Sequence, residues 1–351
     1  MKTLYSLLLC LLPLLTWAEE PTGAGAIEKR KTVTKLFDVD ANDALVVDNQ
    51  FGQVSVELWD KPEIRIQIVI TANADTDERA QALLDAVTID DKRAGNQITV
   101  RTNMATGNQS NWSFRSAKTG TQRNGVRIDY VVSMPHQNAL TVRNRFGNTA
   151  IPAFQAPLTV YNRYGNFSAD NLANRQNAID IAFGRADIRI LDGGKVDVSY
   201  GNLDLDRANV LTLVNKFGKL KIGEVGRLDA DIDYSSVEIG TLRESGKIRL
   251  SFSGGFRIGQ LPRTADNVDI QANYSPVTLP LTEGADGNFD VTVTYGSFNY
   301  VSGPTMQFTS NPDEKKDNYG ARLTKQYIGH IGRGSATKIR VVSKFGNVTF
   351  R

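Results

Sequence analysis

Val196-Asp197-Val198-Ser199-Tyr200-Gly201-Asn202-Leu203-Asp204-Leu205 and, a little further along the chain, Leu213-Val214-Asn215-Lys216-Phe217-Gly218-Lys219-Leu220-Lys221-Ile222 are two copies of one pattern. In each, apolar residues alternate with polar ones, an aromatic residue followed by glycine interrupts the run, and the alternation resumes. The aromatic-Gly or aromatic-Ser pair recurs at Phe51, Phe146, Tyr164, Phe183, Tyr200, Phe217, Tyr234, Phe252, Tyr274, Tyr295 and Phe345. From Phe146 to Phe252 the spacing hardly varies from one aromatic to the next, and it lengthens only slightly on the way to Tyr274 and Tyr295. A near-constant short period of this kind points to a repeat architecture.

Alternation with period two marks a strand with one buried face, so each repeat reads as strand, glycine corner, strand. The glycine removes the Cβ where the backbone must turn sharply or take a positive φ. Such a unit is too short for a crossover helix, and it pairs with its neighbours as one coil of a right-handed parallel β-solenoid, advancing about 4.8 Å per coil. The expectation is all-β: about ten coils of about 17–22 residues behind a small N-terminal α/β cap. The apolar set points inward as ladders, with the aromatics stacked at one corner. Asn49, Asn144, Asn162 and Asn215, two residues before the aromatic, fall on the buried side, where an amide bonds the turning backbone and its neighbour one coil away. A β-propeller or antiparallel sandwich fits less well, since a blade needs about 40 residues and Asn-Gly occurs only at Asn124-Gly125, outside the regular array.

The chain divides around this array. Residues 1–18 hold Lys2, an apolar run from Leu7 to Leu15 and Thr16-Trp17-Ala18, the layout of a signal peptide, so the mature chain is expected to start at Glu19. That cleavage removes Cys10, the only cysteine, and with it disulfides, cysteine-zinc sites and cysteine nucleophiles. Lipid attachment at Cys10 is disfavoured, because Leu8-Leu9 stand where small residues are wanted. Residues 19–36 read as a linker, and 37–139 as a first coil, a helical cap and a polar loop. The cap is a helix from Asp75 to Val87, started by Asp75 with Glu78 as a capping box and plugging the open end of the solenoid. Regular repeats fill 140–302, a long charged and glycine-rich loop occupies 303–338, and a final coil closes 339–351.

The stretch Asn49-Gln50-Phe51-Gly52-Gln53-Val54-Ser55-Val56-Glu57-Leu58-Trp59, the strand and Ala-Leu-rich helix after it, Leu140 to Ile151, and Gly332 to Phe350 together carry a family likeness. Through them most of the mature chain resembles the bacterial putative-adhesin family of exported β-solenoid repeat proteins, related to autotransporter adhesin heads. The resemblance implies the fold and an adhesin-like role, and it brings no catalytic residues with it. The C-terminal translocator of an autotransporter has no counterpart in the sequence.

Composition narrows the chemistry. Lys plus Arg number 41 against 38 for Asp plus Glu, so nucleic acid is not an expected partner, and no later stretch has the run of apolar residues that a transmembrane helix needs. His136 and His330 are the only histidines and read as surface or turn residues, which leaves no histidine metal cluster and no Ser-His-Asp set. Carboxylates are the alternative: Asp180, Asp197 and Asp231 stand three residues before the aromatic, and Asp187, Asp204, Lys221 and Glu238 four after it. Asp187 and Asp204 on adjacent coils are weak candidates for a cation or a glycan-cleaving pair, while the preferred reading is a solvated face with Lys221 bridging Asp204 and Glu238. Arg145, Arg163 and Lys216, each just before an aromatic, could collect an anionic glycan, although Ala182, Ser199 and Asp233 interrupt the stripe. Trp112 and Phe114, among amides in the polar loop, suit sugar stacking or anchor that loop. The expected function is a non-catalytic exported protein of the periplasm, outer membrane or cell surface, binding a glycan or envelope component without cofactors. The alternatives are a polysaccharide lyase or glycoside hydrolase using the Asp ladder, and a structural spacer.

Overall fold

A computed structural model describes residues 27–104, 125–280, 286–301, 306–313, 323–334 and 337–351. The expected signal peptide with Cys10, and Trp112 and Phe114, lie outside these residues. Among the described residues the chain is all-β, with 25 strands hydrogen-bonded into one sheet and a single helix. No described helix is long and apolar enough to cross a membrane.

Through the centre the repeats pair in parallel, in chain order. Val196 faces Leu213, Leu213 faces Ala230, and Ala230 faces Ile248, each residue meeting its counterpart in the next repeat. The long strands Arg185–Ser199, Asn202–Lys216, Lys219–Asp233 and Ser236–Ser251 alternate buried and exposed residues along nearly their whole length. Val198, Leu205, Leu211 and Leu213 are each essentially free of solvent contact. Because every parallel neighbour holds the same register, like residues stack into inward ladders, and the core is one continuous cluster from Leu45 to Phe350.

Polar groups inside the corner are paired. Asn144 Nδ2 donates to Gly52 O at 3.1 Å, Asn162 Nδ2 to Gly165 O at 2.8 Å and Asn215 Nδ2 to Val198 O at 2.8 Å. Where the repeat carries serine after the aromatic, the asparagine is absent and the serine does its work. The hydroxyl of Ser235 accepts from the Gly218 amide at 3.1 Å, and that of Ser275 from the Ser253 amide at 2.9 Å. An unpaired buried polar group costs roughly 1–3 kcal/mol, which these bonds avoid, while the corners at Phe183, Tyr200 and Tyr295 carry neither residue.

The corner conformation differs from the one expected. It is the aromatic residue that takes the left-handed conformation, with φ between 49° and 63° at all eleven positions. Where glycine rather than serine follows it, the reason is close approach: a Cβ on Gly147 would sit 1.8 Å from the carbonyl oxygen of Gly52 in the neighbouring repeat. Backbones approach too closely there for a side chain that cannot turn away.

Both ends depart from the repeat. Residues 27–36, expected as linker, belong to the strand Ile27–Asp38, which pairs antiparallel with Glu63–Ala74. That strand is in turn antiparallel to Gly125–Pro135, which lies parallel to Val54–Trp59. The helix is shorter than expected, Asp77–Asp85, and its cap is Thr76, whose hydroxyl accepts from the Arg79 amide, while Asp75 pairs with the Arg79 side chain. It packs on Glu63–Ala74 and Ile27–Asp38 through Ala80 and Leu84. Strands therefore cover the N-terminal end of the parallel stack, with the helix against them. Val87, read as helix, begins the strand Val87–Ala94, a hairpin partner of Gln97–Met104.

The C-terminal end holds a larger departure. Asn267–Asn273 does not pair with the next repeat in the chain, Gly287–Thr294, but with Thr337–Lys344, which then pairs with Gly287–Thr294 on its other side. The last repeat is thus inserted between the two that precede it. Part of 303–338, expected as loop, is strand: Thr324–Ile331 runs antiparallel to Gly287–Thr294, and Met306–Ser310 antiparallel to Thr324–Ile331.

Candidate functional site: an aromatic ridge

Left-handed φ at the corner turns each aromatic side chain outward. Phe51, Phe146, Tyr164, Phe183, Tyr200, Phe217, Tyr234, Phe252, Tyr274, Phe345 and Tyr295 follow one another as one stack, in that spatial order. Centroids are 4.6–5.2 Å apart and ring planes within 9° of parallel. From Phe146 onward each residue is 43–55% exposed. A left-handed non-glycine residue costs roughly 1–2 kcal/mol, and a stacked aromatic pair returns about 0.5–1.5 kcal/mol beyond area burial, so the row offsets the strain its own placement creates.

Ten steps carry this ridge roughly 50 Å along the sheet, far beyond the scattered exposed aromatics of an ordinary surface. Ring faces are occupied by neighbouring rings. What the row presents to solvent is ring edges, the electropositive rim of the aromatic quadrupole.

Parallel register places Arg145 and Arg163 side by side, immediately before Phe146 and Tyr164. Arg163 is already engaged, with Nη1 and Nη2 each donating at 2.8 Å to the two oxygens of Asp180, which holds its guanidinium more firmly charged than usual. Lys216 stands apart, with Ala182 and Ser199 occupying the same column between it and Arg163. Arg145 and Lys216 are exposed and make no ion pair among the described residues. Registering on the residue two after the ring adds cations that sequence reasoning missed: Arg185 beside Phe183 and Lys219 beside Phe217. Lys344, just before Phe345, belongs with them and was equally visible in the repeat. Asn148, Asn166 and Asn202 occupy that later position in other repeats. Their side-chain oxygens accept main-chain N–H groups of Asn166, Arg185 and Lys219 one repeat on, at 2.9, 3.1 and 3.2 Å, which fixes the flank of the ridge.

The acid column lies on the strand that follows the corner. Asp187, Asp204, Lys221 and Glu238 are aligned as expected. Arg185 closes the first pair, donating to Asp187 at 2.6 Å and to Asp204 at 3.1 Å. The expected bridge through Lys221 is absent, since Lys221 makes no ion pair among the described residues. An open groove of about 640 Å³ runs here, lined by Asp170, Asp187, Asp204, Asp206, Arg189 and Lys221 among others. Hydrogen bonding from Arg189 holds the Asp170 carboxyl below its ordinary value. No group of three or more His, Cys, Asp or Glu residues able to hold a metal ion is found among the described residues. The same kind of pairing recurs between the next central strands: Arg249 bonds Asp231, and Arg243 bonds Glu224 at 2.6 Å. His136 lies 3.7 Å from Asp60, and His330 sits in the C-terminal hairpin strand, well apart in the fold.

No family model and no curated protein matches the chain. Among solved structures it is similar to a putative adhesin from Bacteroides fragilis, with 11% identity over 92% of this chain and 97% of that one and a TM-score of 0.31. It is similar also to a putative lipid binding protein from Parabacteroides distasonis, with 9% identity over 91% and 96% and a TM-score of 0.32. A third likeness is to a putative cell adhesion protein from Clostridium sporogenes, with 10% identity over 92% and 99% and a TM-score of 0.22. Likenesses of this degree carry no argument about function, which rests on the chain's own residues.

Proposed function

We propose that the protein is an exported, non-catalytic binding scaffold of the cell envelope or surface, a right-handed β-solenoid of about ten coils that docks a glycan or another envelope component along its aromatic ridge. The observation that carries this reading is the ridge itself: a row of half-exposed rings held rigidly along one corner of the sheet. Loops are where binding is usually placed, yet among the described residues the longest exposed apolar feature belongs to the most regular part of the fold. A glycan-cleaving role fits the residues less well. Cleavage wants a proton donor and a free carboxylate close together, and Arg185 already bonds both members of the Asp187–Asp204 pair.

One experiment separates the readings. Purified residues 19–351 are incubated with a panel of polysaccharides, with and without Ca²⁺, and scored for retention and for product. Retention without cleavage is expected, and it is expected to fall when Tyr200 and Phe217 are both replaced by Ser. Cleavage abolished by Asp187→Asn with Asp204→Asn would overturn the scaffold reading, and neither retention nor cleavage would leave a structural spacer.

A further inference from the structure

From Phe146 onward phenylalanine and tyrosine alternate along the ridge without exception. In chain order the pattern fails at its end, where Tyr274 and Tyr295 are consecutive. Insertion of the last repeat puts Phe345 between them and restores it. Successive tyrosines thus stand two ring steps apart, about 10 Å. Among the described residues nothing hydrogen-bonds to the phenol oxygens of Tyr164, Tyr200, Tyr234, Tyr274 or Tyr295.

Free cations stand only on the phenylalanine rungs, at three of the five from Phe146 onward. Beside the rings, the exposed cations that make no ion pair among the described residues are Arg145, Lys216, Lys219 and Lys344, and all four flank phenylalanines. The tyrosines are flanked instead by small polar residues such as Ser199, Asn202 and Thr294, by Arg163, which Asp180 engages, and by Asp233. One set of rungs therefore offers hydroxyls, and the alternate set carries the free cations, at Phe146, Phe217 and Phe345 but not at Phe183, whose Arg185 is engaged, nor at Phe252, which Ser251 and Gly254 flank.

We propose that the ridge binds an extended acidic polysaccharide carrying one carboxylate per disaccharide. The proposal rests on the binding-scaffold reading above and names its ligand class. One disaccharide of an extended β-linked chain spans about two rungs of the ladder. Carboxylates then fall at the phenylalanine rungs, over electropositive ring edges and, at Phe146, Phe217 and Phe345, near a free cation, and the intervening sugars present hydroxyls to the tyrosines. A carboxylate on every sugar would set charge opposite the tyrosine rungs, which carry no free cation and, at Tyr234, the carboxylate of Asp233. Base stacking of a nucleic acid needs free ring faces, and the faces are taken by neighbouring rings.

The test uses residues 19–351 and four probes: hyaluronan oligosaccharides, chitin oligosaccharides of equal length, oligogalacturonates and single-stranded DNA, titrated calorimetrically at low and high salt. Hyaluronan is expected to bind in a salt-sensitive manner, its affinity rising with length up to about five disaccharides, the reach of the ridge. Lys216→Ala with Lys219→Ala should weaken it roughly five- to tenfold. Tyr200→Phe with Tyr234→Phe, which keeps the stack, should weaken it roughly two- to fivefold. Lys221→Ala, on the neighbouring groove, should change nothing. Equal binding of the chitin series, or preference for oligogalacturonate or DNA, would overturn the ligand class while leaving the ridge as a binding surface. An equal loss with Lys221→Ala would move the site to the groove. No binding of any glycan by a chain with an unchanged melting curve would overturn both this proposal and the scaffold reading.

Discussion

Between Arg185 and Ser251 each strand finds its partner in the very next repeat of the chain, whereas Asn267–Asn273 passes over the repeat that follows it and pairs with Thr337–Lys344. Both regions use the same aromatic corner, the same inward alternation and the same stacked ring. The difference lies in who the neighbour is. A repeat shows that a segment can join the stack, because its inward ladder and corner fit any adjoining copy, but it does not fix the order of joining. In the centre, short connections make the next repeat the neighbour that is easiest to reach, while at the C-terminal end the hairpin built from Thr324–Ile331 separates the last copy from its predecessor. The swapped order is also the one that keeps phenylalanine and tyrosine alternating.

The strongest way to break the central region is a charge in its core. Leu213→Asp places an unpaired carboxylate among Val196, Ala230 and the ladder residues beside them, at a cost of about 3–5 kcal/mol, and neighbouring repeats should unfold with it. Lys216→Ala, three residues away and outward, should leave the melting temperature essentially unchanged. Equal melting of the two variants would reverse the assigned faces.

Deleting residues 337–351 tests the other region. Asn267–Asn273 and Gly287–Thr294 would each lose the strand they share, so amide exchange should accelerate throughout 267–301 while 185–251 stays protected. Loss of protection in the centre as well would mean that the two regions fold as one unit despite their different wiring. Gly201→Ala is next in size: its Cβ would lie 2.2 Å from the Gly184 carbonyl oxygen, so about 3 kcal/mol should be lost, read from denaturant unfolding.

Much of the centre is legible in the sequence because its determinants are local: the period of two, the near-constant repeat length and the asparagine two before the ring all survive in the structure. The left-handed aromatic was not legible, since glycine is the residue expected at positive φ and only the stack, a property of many repeats together, offsets the strain. Ile27–Asp38 was hidden by its charges, with Lys29, Arg30, Lys31 and Lys35 on a strand whose partner begins only at Glu63, beyond two intervening strands. For the site, the repeat pattern gives the position of Arg145, Arg163 and Lys216 just before the ring. That Asp180 engages Arg163, and that Arg185 rather than Lys221 closes the acid pair, depends on which side chains reach across a repeat, and spacing alone does not decide that.

Smaller changes sharpen the contrast between the two corner solutions. Ser253→Ala removes the acceptor of the Ser235 amide and should cost about 1–2 kcal/mol, measured by thermal unfolding. Asn162→Ala removes the donor to Gly165 O and the acceptor of the Thr149 hydroxyl, and should cost a similar amount. A clearly larger loss at Asn162 would show that the asparagine ladder, and not the shared corner, sets the firmness of the earlier repeats.

Acid should act weakly and on both regions. In the centre, hydrogen bonds from Asn209 and Arg175 hold Asp192 below the ordinary carboxylate value, and Arg249 does the same for Asp231. At the C-terminal end, Lys325 and the Tyr327 hydroxyl hold Asp313 down. A carboxyl depressed in the folded state contributes stability that is fully present above its unfolded value, about 3.9, and is lost as pH falls through the lower folded value. Melting should therefore be flat from about pH 5 to 8 with respect to these groups and decline below about pH 4. These side chains are well solvated, so each contributes little. Asp313→Asn should remove the part of the acid response that amide exchange reports in 324–331 and leave the central part intact. An acid response that vanishes everywhere with this one change would mean that the C-terminal hairpin, and not the paired central columns, controls the stability of the whole sheet.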